Sequence, residues 1–328
     1  MDFLVPSEYT FSMEKEPKNG EVNIESNINF SKVNLKYWSD EEINSFFDKR
    51  ITALQNSNEF IEENKWQFDN FKKHIIGEGY SGEEMIKRFI QREIKNSTNA
   101  KEKATTVRNQ LEEKKEEILE QVKLKLEKYL PDWDVNTTEI VFKVMEDADY
   151  RHPRNGKVEV DLWRLTFQDD VIENVVGGIT HELLHEWMGE SSQKYYRNEN
   201  RFISIEDAKL SACNKTVDEG LAVLVSGMAL SKHYEEQRLD YQKAIDESFK
   251  YFKDFFTITD VEIAKQTYRK GLNNMGPFYV VGYEVAKEVF ERIDLNQFRI
   301  LIAKIRENPK ILFDEYLSLG GGKILPKI

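Results

Sequence analysis

Apolar residues recur every three to four positions over most of this chain, which is the pattern of helices that bury one face. Ser39 and Ser81 are each followed by an acid three residues later, a signal for the start of a helix. Pro277 likewise suits a first helical position. The pattern predicts helices from Ser39, over 60–75, from Ser81, over about 101–130, within 231–260, from Pro277 and in two short pieces over 298–319.

Two stretches instead indicate strands. Residues 139–145 are rich in β-branched and aromatic side chains, and residues 157–165 alternate charged with apolar side chains. The segment 147–156 between them is predicted to be a loop that contains His152, interpreted as a surface residue. We therefore expect an α+β fold that is predominantly helical and has a small sheet.

A Pro131-Asp132-Trp133-Asp134 segment marks a change of pattern and divides the chain. Before it we predict an N-terminal arm or short hairpin over 1–35 and a helical region over 36–131. After it we predict a core over 132–328 that ends in helices. No constellation of catalytic type lies in the helical region, which we interpret as a wall of a substrate cleft.

Composition narrows the class of protein. The net charge is −12 and no basic stripe stands out, so a nucleic-acid partner is not expected. The first residues lack the features of a signal peptide, and no 18-residue apolar stretch exists. A cytoplasmic location is therefore expected. Cys213 is the only cysteine and is interpreted as a small packing residue.

The most informative stretch is the predicted helix that follows Asp170. Its apolar residues form one face, and His181, Glu182 and His185 fall beside that face. Two histidines four apart on a helix point the same way and can bind one zinc ion, with the intervening glutamate beside the open coordination position. Gly177 and Gly178 suggest that another backbone passes close by, and Gly189 is the expected end of this helix.

A catalytic zinc ion needs a third protein ligand. Glu219 lies near the start of an apolar run, where a buried carboxylate is costly unless it is paired or bound to a metal. An acid at the start of a helix, favoured by the helix dipole, is the structural alternative. Glu206 and Asp207 compete as ligands, but they follow a stretch typical of a strand or loop, and Glu219 is preferred.

These segments resemble the gluzincin zinc peptidases, in which a second helix supplies a glutamate within Glu-Gly-Leu-Ala. Here that segment is Asp218-Glu219-Gly220-Leu221-Ala222. The likeness covers roughly residues 138–292 and is greatest to predicted zinc-dependent proteases that carry Glu-Gly-Leu-Ala. It implies a zincin-like catalytic core. The 34 positions between His185 and Glu219 exceed the usual gluzincin spacing.

The resemblance also implies a tyrosine that stabilises the oxyanion. Tyr283 is preferred over Tyr279 for this role, and aromatic packing is the alternative for each. In such peptidases an edge strand before the motif helix holds extended substrate by backbone pairing, a role that residues 157–165 could have.

We therefore predict a peptidase that binds one zinc ion per chain through His181, His185 and Glu219 and acts on a peptide or protein substrate. A metal-activated water would attack the peptide bond, with Glu182 as the general base. The alternatives are a zinc-binding protein without proteolytic activity and a helical interaction protein with a chance motif. No amine-binding motif is evident, so neither endo- nor exopeptidase action is favoured.

Overall fold

The computed structural model describes residues 26–56, 82–145, 150–154, 156–192, 202–228, 230–236, 239–273, 275–323 and 325. The predicted helix over 60–75 lies outside these residues. The strands are β1 Ile28–Asn29, β2 Asn34–Tyr37, β3 Trp133–Asp134, β4 Glu139–Lys143, β5 Tyr150–Arg154 and β6 Lys157–Asp161. The helices are α1 Asp40–Gln55, α2 Gly82–Glu113, α3 Lys115–Tyr129, α4 Leu162–Leu165, α5 Val171–Ser192, α6 Ile205–Ser226, α7 Leu230–Glu236, α8 Tyr241–Phe255, α9 Val261–Leu272, α10 Pro277–Arg292, α11 Leu295–Glu307 and α12 Lys310–Ser318.

The fold is α+β and predominantly helical, as the sequence predicts. Helix α1 begins with a capping box between Ser39 and Glu42, and Pro277 occupies the first turn of α10. Both starts follow from local chemistry, because a hydroxyl or a proline satisfies or removes amide groups that lack partners within the helix. No helix in the described part of the chain is long and apolar enough to cross a membrane.

The sheet has four strands in the order β2-β4-β6-β5. Strands β2, β4 and β6 are parallel, and β5 runs antiparallel to β6 at one edge. Strands β1 and β2 do not pair with each other: β1 pairs with β3 and β2 with β4. Strands β2 and β4 are neighbours in the sheet, and the chain between them contains the helices α1, α2 and α3.

Several element boundaries differ from the prediction. Residues 150–154, predicted as loop, form β5. Strand β6 stops at Asp161 because that carboxylate accepts a hydrogen bond from Trp163 N at 2.9 Å and caps α4. Helix α5 continues past Gly189 to Ser192. Helix α6 ends at Ser226, where Gly227 adopts a left-handed conformation (φ 72°).

One large cluster of buried apolar side chains reaches from the sheet to the C-terminal helices. Helix α6 lies at its centre, packed against α5, α10, α9 and α12. Fifteen of the 22 residues of α6 are buried, so most of this helix is enclosed by its neighbours. A charged side chain in the buried part of α6 therefore needs a partner.

Candidate metal centre

Helix α5 brings His181 and His185 to the same side, one turn apart, as their spacing predicts. Their Nε2 atoms lie 3.0 Å from each other. The two residues are only 9% and 5% exposed. Two imidazoles whose nitrogens face each other at this distance, in a buried position, could supply two ligands to one metal ion.

The structure brings Glu219 of α6 to the same point. Its Oε2 atom lies 3.3 Å from Nε2 of His181 and 3.3 Å from Nε2 of His185. In a tetrahedral zinc site with bonds of about 2.0–2.1 Å, neighbouring ligand atoms are about 3.3–3.4 Å apart. The triangle of 3.0, 3.3 and 3.3 Å thus fits three ligands of a zinc ion. Among the described residues, these three form the one group of histidine, cysteine and acidic side chains that could hold a metal.

Glu206 and Asp207 lie far from this triangle. Both belong to the first turn of α6, and Glu206 is exposed. Thirteen positions separate Glu206 from Glu219, which is about 20 Å along a helix. The stretch before them, predicted as strand or loop, ends in the helix cap Ser204, whose hydroxyl accepts from Asp207 N at 3.1 Å. Because α6 begins at Ile205, Glu219 lies in the middle of the helix, and a dipole effect at the helix start does not explain it.

Asp218 orients His185. The Nδ1 atom of His185 lies 2.9 Å from Asp218 Oδ1, so Nδ1–H donates to the carboxylate and Nε2 is the ring nitrogen that faces the triangle. Lys215, one turn before Glu219, ion-pairs with Glu219 Oε1, and its Nζ is 3.4 Å from Asp218 Oδ2. Lys215 can reach both carboxylates because it precedes Asp218 by three and Glu219 by four residues, which is about one turn of α6.

The charges of this group stabilise one another. Burial would lower the pKa of His185, but the carboxylates of Asp218 and Glu219 outweigh it and raise that pKa to about 10. Burial would raise the pKa of Glu219, but the positive charge of Lys215, and then that of His185, holds it well below its ordinary value. Both carboxylates are therefore ionised at neutral pH, as metal ligands and their partners must be.

Of the two predicted tyrosines, Tyr279 lies beside the triangle of candidate ligands. Burial raises the pKa of its phenol well above the ordinary value, and the carboxylates of Glu219, Glu182 and Asp218 raise it further. The charges that act on Tyr283 are instead those of Glu284 and Glu291. The preference of the sequence analysis for Tyr283 has no support in these charges, and Tyr279 is the tyrosine that lies against Glu219.

A close helix crossing explains the position of Tyr279. A Cβ atom on Gly282 would lie 1.8 Å from the Thr216 carbonyl oxygen, and one on Gly220 would lie 2.0 Å from the Gly282 carbonyl carbon. The backbones of α6 and α10 therefore touch at these two glycines. Glu219 precedes one glycine and Tyr279 lies three residues before the other, so the crossing brings the two side chains together.

The close approach predicted at Gly177 is not a tight one. A Cβ atom on Gly177 would lie 3.8 Å from the Ser226 carbonyl oxygen and from Met228, which is an ordinary contact. Glu186, which follows His185, attaches helix α5 to a neighbouring segment. Its carboxylate accepts hydrogen bonds from Asn136 N at 2.7 Å and Thr137 N at 3.1 Å, and thus ties α5 to the segment before β4.

The strand proposed to hold substrate is not at an edge. Strand β6 is paired on both sides, with β4 and with β5, so its backbone has no free partner positions for a peptide. The edge strand that packs on α5 is β5, whose residues include His152. Cys213 is buried in the core, and burial raises the pKa of its thiol to about 12, which fits a packing residue.

Lys215 and Glu186 were not singled out as site residues by the sequence analysis. A signal for Lys215 exists: a lysine that precedes Asp218 by three and Glu219 by four residues on a predicted helix can form an ion pair with either acid. No comparable local signal exists for Glu186, because its partners are about 50 residues away in the chain.

Comparison with known families is consistent with this geometry. A family model described as "Putative zinc dependent peptidase (DUF5700)" matches residues 23–318, which include α5, α6 and α10. No curated protein and no solved structure matches the chain.

Proposed function

Because this chain belongs to the DUF5700 family, we propose that it is a zinc-dependent peptidase whose metal is held by His181, His185 and Glu219. The observation that carries the proposal is the buried triangle of two imidazole nitrogens and one carboxylate oxygen. Three ligands leave a fourth position open, which is typical of catalytic rather than structural zinc sites. A zinc ion bound there supplies Lewis-acid chemistry at the scissile carbonyl and at an attacking water.

Glu182 is the proposed general base. It lies between the two histidines in α5 and is half-buried, and its negative charge contributes to the raised pKa of the Tyr279 phenol. A carboxylate in that position can take the proton of the attacking water and deliver it to the leaving amine. A structural zinc site has no need of such a group, so Glu182 favours peptide hydrolysis over a zinc-binding protein without activity.

Tyr279 is the proposed donor to the oxyanion. Its raised pKa keeps the phenol protonated at neutral pH, so the hydroxyl can donate a hydrogen bond to the developing negative charge. The substrate itself is proposed to extend along the outer side of β5. This strand is the last one in the described sheet and packs against α5.

The substitution Glu182→Gln tests this function. We expect peptide cleavage to fall by about 10²-fold or more, because the amide cannot accept the proton, while zinc content stays at one per chain. Zinc is measured by elemental analysis of protein purified without added metal, and cleavage with a library of unstructured peptides.

Two further variants make the result specific. Glu219→Ala should lose both zinc and activity, and Glu206→Ala, in which an exposed acid of the same helix is removed, should keep both. An unchanged cleavage rate in Glu182→Gln would overturn the peptidase mechanism. Wild-type protein without stoichiometric zinc would favour the helical interaction protein.

A further inference from the structure

Lys215 has no role in the mechanism above, yet it is built into the site. It lies in α6 one turn before Glu219, and only 18% of its side chain is exposed. Burying an ammonium group is costly unless it is paired. Here it is paired twice, with Glu219 Oε1 and, at 3.4 Å, with Asp218 Oδ2.

The two oxygens of Glu219 thereby have different surroundings. Oε1 faces the ammonium of Lys215, and Oε2 faces both histidines at 3.3 Å. The ammonium of Lys215 therefore occupies Oε1, and Oε2 is the oxygen that the two histidines share. A carboxylate can bind a metal through one oxygen or through both, and the second mode would use a coordination position that substrate or water needs.

We infer that Lys215 is a positioning residue that holds Oε1 of Glu219 away from the metal, so that Glu219 is a one-oxygen ligand and the fourth position stays open. This inference rests on the proposed zinc site. It adds that the site depends on a cation outside the ligand set.

Charge supports the same role. Asp218 and Glu219 are adjacent acids that are both buried, so their carboxylates need a shared cation. Lys215 contacts both carboxylates and offsets one of the two charges. Without it, the metal would be the nearest remaining cation for Glu219 Oε1, and the carboxylate would turn both oxygens toward the metal.

The test uses the full chain, freed of metal with a chelator and reloaded with Co²⁺, whose visible absorption is stronger in four-coordinate than in five-coordinate sites. Lys215→Met keeps the length of the side chain and removes its charge. We expect it to bind one cobalt with weaker absorption bands. With zinc, kcat for peptide cleavage should fall about 10–100-fold with little change in KM, the usual cost of altering a partner of a metal ligand.

Two variants separate charge from packing. Lys215→Arg keeps the cation and should keep the wild-type spectrum, and Lys209→Met removes a lysine of the same helix that has no place in the site. If Lys215→Met does not fold, judged by circular dichroism, Lys215→Gln carries the same comparison.

The outcomes distinguish this inference from the proposed function. Identical cobalt spectra of wild type and Lys215→Met would overturn the positioning role and leave the peptidase standing. A spectrum altered equally in Lys215→Arg would also overturn it, because the cation would not be the cause. Wild-type protein that binds cobalt and zinc but cleaves no peptide would overturn the function while the spectra still decide the role of Lys215.

Discussion

His185 shows how a single side chain depends on its neighbours at this site. Its Nδ1 atom lies 2.9 Å from Asp218 Oδ1, and its Nε2 atom lies 3.0 Å from Nε2 of His181. The sequence identifies His185 as a ligand through its distance from His181, and it names Asp218 only as an acid beside Glu219. The pairing of His185 with Asp218 spans 33 positions and arises only when α5 and α6 pack together.

This pairing predicts that zinc affinity rises with pH. Without bound metal, the raised pKa of about 10 leaves a proton on His185 at neutral pH, and zinc must displace it. Below that pKa a higher pH removes the competing proton, so the dissociation constant for zinc should fall by up to about tenfold per pH unit between pH 6 and 9. Competition with a chelator of known affinity measures it.

Asp218→Asn is the matched variant for that experiment. It removes the charge that raises the pKa of His185, so the dependence on pH should flatten above pH 7, and binding at pH 9 should be about 10–100-fold weaker. A wild-type affinity that stays constant from pH 6 to 9 would contradict the role of the His185 proton.

At the scale of elements, the site depends on how α6 crosses α10. The two helices meet at Gly220 and Gly282 with their backbones in contact. Sequence patterns predict each helix well, since α10 begins at Pro277 and the Glu-Gly-Leu-Ala segment lies in a helix. They do not predict the crossing point, because two glycines 62 positions apart carry no local sign that they touch.

Gly282→Ala should therefore destabilise the folded protein. Its new methyl group would meet the Thr216 carbonyl at 1.8 Å, and relief requires α10 to move away from α6, which also withdraws Tyr279. Overpacking of this kind costs about 1–3 kcal/mol of unfolding free energy. Urea denaturation followed by circular dichroism measures the change.

Gly189→Ala is the control, because Gly189 lies within α5 and, apart from its own helix backbone, no described residue lies within 4 Å of its Cβ position. It should leave stability unchanged or raise it by up to about 1 kcal/mol, since alanine favours a helix. Equal stability of Gly282→Ala and wild type would show that the crossing tolerates a methyl group.

At the scale of the whole molecule, the candidate ligands come from two helices that are joined through the segment 193–204, and the helical region is packed onto the same core. Arg299 of α11 donates hydrogen bonds to the carbonyls of Lys128 and Glu127 at the end of α3, at 3.0 and 2.7 Å. The boundary predicted near residue 131 stays a prediction, and these contacts tie the two sides of it together.

Because the ligands meet only in the folded chain, zinc should stabilise that state. At a free zinc concentration 1,000 times the dissociation constant, the gain is about 4 kcal/mol. Adding a chelator to zinc-loaded protein should therefore lower the melting temperature by several degrees. Glu219→Ala should show no such shift and Glu206→Ala a full one; a wild-type melting temperature indifferent to the chelator would contradict a metal that joins α5 and α6.

The sequence by itself determined the predominantly helical fold and the pairing of His181 with His185, because both follow from periodicity within a single helix. It also indicated Glu219, since an acid in an apolar helical run needs a partner. These are properties of positions only a few residues apart.

Only the tertiary structure decided the rest. The place of Tyr279 beside Glu219, the pairing of His185 with Asp218, the burial of Lys215 and the place of β5 at the sheet edge each depend on which elements pack together. Packing between distant segments is set by complementary shapes and by the total area that can be buried, and a pattern along one helix or strand contains neither.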